Sequence, residues 1–90
     1  MELNDLINQE FSNNDASFKV MLTNKPKGKK QREAIITLNG DESIGSWVLK
    51  SSDDESILTL NHGSKGKQRL QFVIKKGETL AEVIENCYLH

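Results

Sequence analysis

The sequence predicts an α+β fold: a five-stranded antiparallel sheet with a short N-terminal helix and a C-terminal helix packed on one face. Three observations carry this expectation. Segments near 18–23, 32–38 and 69–75 alternate apolar and polar residues with the period of a half-buried strand. Asn39-Gly40 supplies two adjacent residues that tolerate the positive φ of a type I′ hairpin turn. Thr79 and Glu82 fit a capping box, and Leu80, Val83, Ile84 and Cys87 follow at helical spacing. Ninety residues make a single domain, 1–90, because a chain of this length has no room for two cores.

Taken in order, Leu3, Leu6, Ile7 and Phe11 form one apolar stripe at helical spacing, so a short amphipathic helix is expected there. Ser12-Asn13-Asn14-Asp15 ends it with residues that favour local backbone bonding. Phe18, Val20 and Leu22 then share a face of the first predicted strand. Pro26 and Gly28 are expected to interrupt any ladder and leave 24–30 as a loop. Ala34, Ile36 and Leu38 point inward from the second strand, and Trp47 and Leu49 share a face of the third, over 44–50. Residues 51–55 read as an acidic turn, 57–60 as a fourth strand and 61–67 as a glycine-containing basic loop. Leu70, Phe72 and Ile74 mark the fifth strand, which Gly77 stops.

Composition bounds the function classes. Hydrophobic residues are 36% and charged residues 28% of the chain, too apolar for full disorder and ordinary for a globular protein. A net charge of −1 excludes a strongly basic histone-like protein and a strongly acidic DNA mimic alike. The lone Cys87 cannot form an internal disulfide, which makes a reducing, cytoplasmic compartment the expectation. No apolar run approaches the ~20 residues that span a bilayer, and the first residues lack the basic start of a signal peptide.

The charge is segregated nonetheless. Five consecutive blocks alternate in sign: acidic over 1–16, basic over 17–35, acidic over 36–64, basic over 65–76, acidic to the end. Two of them echo each other, since Leu22-Thr23-Asn24 and Thr59-Leu60-Asn61 each lead into a glycine-containing basic loop and a return strand. A phosphate-binding reading uses Lys25, Lys27, Lys29, Lys30, Arg32, Lys65, Lys67 and Arg69. Against it, lysine outnumbers the better bidentate residue arginine, and no aromatic interrupts either run to stack bases. In a simple meander the two basic loops also fall at opposite ends of the sheet. The acidic 52–55 turn would then sit beside the first basic loop and Asp41-Glu42 beside the second. Lysines that keep hairpin ends soluble and discourage edge pairing are the simpler reading and weigh somewhat more. Residues 26–32 also vaguely suggest a nuclear import signal, a pattern short enough to arise by chance.

Catalytic chemistry finds little support. His62 reads as a solvated loop residue and His90 as a chain end, with no sequence neighbour to complete a triad. Asp53, Asp54 and Glu55 lack the alternation of a calcium loop, and no metal or cofactor is expected. Residues 63–67 contain the letters of a phosphate-binding loop without its glycine spacing or following helix. Cys87 belongs to the apolar stripe of the last helix. Trp47 is expected in the core, and Tyr88 fits either packing or an exposed contact. An enzyme is not expected.

Asn4-Asp5-Leu6-Ile7, in the expected short N-terminal helix leading into an antiparallel strand, resembles the opening of small phage-encoded anti-CRISPR inhibitors. The resemblance covers this opening only, and the rest departs: basic hairpins and one terminal helix stand where the related protein is acidic and helical. It implies a compact protein without catalytic equipment that occupies a host protein's surface. The leading expectation is therefore a non-enzymatic, phage-type inhibitor that occludes a host nucleic-acid-processing protein such as a CRISPR effector. Local acidic contacts would come from Asp41, Glu42, Asp53, Asp54 and Glu55. The alternative is single-stranded nucleic-acid binding through the two basic hairpins. No membrane partner is implied, and the chain is expected as a monomer or as a homodimer paired at a sheet edge.

Overall fold

The computed structural model describes residues 6–63 and 68–87. They form one curled antiparallel sheet in which every strand pairs with its neighbour in sequence, β1 (Glu10–Ser12), β2 (Phe18–Pro26), β3 (Arg32–Leu38), β4 (Asp41–Ser51), β5 (Glu55–His62) and β6 (Gln68–Lys75). One short helix, α1 (Leu80–Glu85), follows. The fold is thus mostly β, with six strands in a half-barrel, and the expected α+β arrangement of five strands and two helices is corrected on both counts.

The N-terminal helix is replaced by a turn and an edge strand. Asn8 adopts a φ of 64°, which breaks a right-handed helix, and its N–H donates to the Leu22 carbonyl at 2.7 Å. Ile7 bridges Leu22, and Phe11 then pairs with Val20. Leu6 and Phe11 are buried as the apolar stripe implies, but Leu6 from a turn and Phe11 from β1; Leu3 lies outside the described residues. A helix of two or three turns is marginal by itself, while the edge of β2 offers backbone partners directly.

Other elements follow the sequence closely. Asn39 and Gly40 have φ values of 50° and 87°, as the hairpin turn needs. Thr79 caps α1 by accepting the Glu82 N–H at 3.2 Å. The helix is shorter than its apolar stripe, because Asn86 closes it and Cys87 lies beyond the last turn. Pro26 does not end the ladder as expected: after a register irregularity past Leu22 it pairs with Arg32, where its missing N–H is not needed. Thr23, inside that irregularity, offers its carbonyl to the Trp47 indole N–H at 2.9 Å.

Curvature comes from β4. Its first half pairs with β3, from Asp41 to Trp47, and its second half with β5, from Ser46 to Ser51. The stagger needs a close backbone approach at Gly45, where an added Cβ would collide with the Asn61 carbonyl oxygen and crowd the Ile36 Cδ1. The concave face then closes on itself. Phe18 on β2 and Phe72 on β6 stack with ring centroids 5.5 Å apart, and α1 packs against both β1 and β6. Leu80 and Ile84 drop from the helix into a core that includes Trp47, Leu58 and Leu60.

A buried side chain ties the closure. Asn13, 3% exposed, accepts the Phe18 N–H at 3.0 Å and donates to Ser17 Oγ at 2.9 Å and to the Cys87 carbonyl at 3.2 Å. The Asn14 N–H donates to the Glu85 carbonyl at 3.0 Å, so the β1–β2 turn holds the end of α1 by side chain and backbone together. Asn13→Ala strands the buried Phe18 N–H and should lower stability by about 2 kcal/mol in urea unfolding. Gly45→Ala forces the β4–β5 backbones apart and should cost about 1–3 kcal/mol, read as a fall in Tm of roughly 5–20 °C.

Candidate functional site

The basic hairpin between β2 and β3 is tight. The Lys27 N–H closes it on the Gln31 carbonyl at 2.9 Å, and Lys27, Lys29 and Lys30 are exposed. Lys25, with its side chain 74% exposed, stands 3.9 Å from the Glu33 carboxylate, a separation that adds little in water. Arg32 differs from the lysines. It lies on the inward-facing row of β3, half-buried, with its guanidinium carbon 5.7 Å from the Trp47 ring centroid. Trp47 itself is core, as expected, at 2% exposure. Arg32 is therefore committed to covering the indole.

The second basic group is not joined to the first. Lys65 and Lys67 lie outside the described residues. The strands that flank them, β5 and β6, meet at the end of the sheet where β3 turns into β4, opposite the 27–31 hairpin. Arg69 is exposed on the outer face of β6, opposite Asn61. Asp41 and Glu42 begin β4 at that same far end, with Glu42 facing Thr37 and, one strand further, Lys19.

The acidic turn instead shares an end with the first basic hairpin. The Ser52 N–H and hydroxyl both donate to the Glu55 carbonyl, at 2.8 and 3.0 Å, which shapes the turn. The Lys76 N–H donates to the Asp54 carbonyl at 3.0 Å, and Glu55 pairs with Lys75 across the ladder. Acidic and basic turns therefore alternate along one rim: 27–31, then 52–54, then 75–78.

Beside this rim, where the edges β1 and β6 approach, lies a cleft of ≈ 470 Å³. Leu6, Phe11, Ile74 and Leu80 give it an apolar floor, while Asp53, Asp54, Glu55, Lys75, Lys76 and Glu78 stand around it. Sequence reasoning missed this cleft because 6–11 read as a helix rather than as one wall. The signal that could have found it was the pair of turns, acidic at 52–55 and basic at 75–77, at one end of a meander.

Residues with reactive side chains are placed differently from expectation in one case. His62 is not a solvated loop residue: it ends β5 with its side chain inward and is 6% exposed, because the strand runs two residues further than its apolar pattern. Cys87 is half-buried; burial, and secondarily the Asp15 charge, pushes its thiol pKa up, away from the reactive thiolate. Hydrogen bonds from Ser17 hold the exposed Asp15 carboxyl below its ordinary range. Among the described residues no cluster of His, Cys, Asp or Glu is placed to hold a metal, and no helix is long and apolar enough to cross a membrane. His90 and Tyr88 lie outside the described residues.

Arg32 and the exposed lysines should separate by mutation. Arg32→Ala should lower stability by about 0.5–1 kcal/mol and shift the Trp47 emission, whereas Lys29→Ala and Lys30→Ala should each stay within about 0.5 kcal/mol of the parent. The chain matches no family model, and no curated protein or solved structure is significantly similar to it.

Proposed function

We propose that this chain is a non-catalytic binding protein that lodges on a host protein and blocks it. The observation that carries the reading is the alternation of charge around an apolar-floored cleft at one rim of the half-barrel. A nucleic-acid surface needs one sign along its length, and here Asp53 and Asp54 would meet any phosphate backbone drawn to the 27–31 hairpin. A protein partner offers both signs and apolar side chains as well. The floor of Leu6, Phe11, Ile74 and Leu80 is almost wholly buried and offers only a small apolar contact, so the charged turns around it carry approach and orientation.

The partner class comes from the resemblance of residues 4–7 to anti-CRISPR inhibitors: a host nucleic-acid-processing protein of the CRISPR-effector kind. Blocking such a machine requires no chemistry, only a footprint over its substrate channel. The same reading places the protein in the cytoplasm, where Cys87 stays reduced.

Affinity capture from bacterial lysate, with and without nuclease, tests this. One stoichiometric protein should be retained after nuclease and high salt, and Lys76→Glu combined with Asp54→Lys should slow its association several-fold. Recovery of nucleic acid alone, with log affinity falling against log salt by about 0.7 per phosphate contact, would instead establish the single-stranded-binding alternative.

A further inference from the structure

We propose that the free edge of β6 is a strand-addition site for an extended acidic segment of the protein partner; this rests on the binding-protein reading above. The backbone geometry defines the site. Lys76 donates its N–H to Asp54 on the neighbouring turn, so even-numbered residues of β6 direct their backbone groups toward β5 and odd-numbered residues direct theirs outward. Glu78 closes one end, since its carboxylate accepts the Lys75 N–H at 2.8 Å and its own N–H donates to the Lys75 carbonyl at 2.9 Å. Arg69, Gln71 and Val73 remain, each exposed and each with N–H and C=O directed to the open edge. The opposite edge, β1, is only three residues long.

The side chains on these three positions and on the neighbouring Lys75 say what fits. Arg69, Gln71, Val73 and Lys75 form one outward row, with cations at both ends and Val73, 44% exposed, within it. An incoming strand places alternate side chains beside this row. Acidic residues there meet Arg69 and Lys75, and a β-branched residue meets Val73. A second copy of the chain fits poorly. In the two-fold register centred on the free stretch, Gln71 faces its own counterpart and Arg69 faces Val73 of the other copy, so neither cation meets a carboxylate. A guest that brings carboxylates to this row gains ion pairs that a second copy does not supply.

Amide NMR of the whole chain, titrated with a peptide of about eight residues alternating glutamate and valine, tests the site. The peptide should shift and protect the Arg69, Gln71 and Val73 amides and bind about tenfold tighter than its lysine–valine counterpart. Gln71→Pro removes one outward N–H without touching the β5 ladder and should weaken binding about tenfold. Arg69→Glu with Lys75→Glu should invert the preference between the two peptides, and it reports even if the proline variant does not fold. No binding, shifts confined to other strands, no preference for acid, or dimerisation of the free chain through β6 would each overturn the inference. A lysate partner retained equally by both variants would overturn the edge site while leaving the binding-protein reading standing; loss of any partner from the parent chain would remove that reading itself.

Discussion

Everything in this molecule depends on how far the sheet curls. A flat meander of these strands would leave the apolar face open to water, with a six-residue helix too small to cover it. Staggering β3 and β5 along the two halves of β4 wraps the sheet until β2 and β6 touch through Phe18 and Phe72. The helix then has only the seam to fill, and two side chains, Leu80 and Ile84, suffice. Gly45 is what lets the strands shear, because its neighbours leave no space for a methyl group.

The seam also explains why the charged cleft exists at all. A fully closed barrel has no edges, whereas this one stops short and leaves β1 and β6 facing each other across α1. The Asn13 and Asn14 hydrogen bonds fasten the end of α1 to the β1–β2 turn, on the β1 side of the gap. The remaining part stays open at the other end, where the turns that follow β4 and β6 gather their carboxylates and lysines.

Much of the sheet was legible from the chain because its signals were local. Phe72 and Ile74 alternate cleanly, Asn39-Gly40 has one good use, and Thr79 is followed by an unambiguous helical stripe. The N-terminus was not legible. Leu6 and Phe11 satisfy a helix and a curled strand equally, and only Asn8 in the left-handed region, together with the waiting edge of β2, decides between them. His62 misled for a similar reason: a histidine beside Gly63 looks like a loop, yet the inward parity of Leu58 and Leu60 continues through it. A simple meander of these strands puts the acidic turn beside the basic hairpin by strand order alone, so that neighbourhood is legible in the chain as well. The cleft lay beyond sequence reasoning, because its walls come from residues far apart in the chain that meet only once the sheet has curled.

One indole has a practical consequence. The chain contains a single tryptophan, and it sits where the irregular stretch of β2 meets the middle of β4, its ring nitrogen held by Thr23 and its face under Arg32. Intrinsic fluorescence therefore comes from one known spot at the hinge of the barrel wall. Any ligand, solvent or mutation that flattens that wall will announce itself as a red shift, with no label attached.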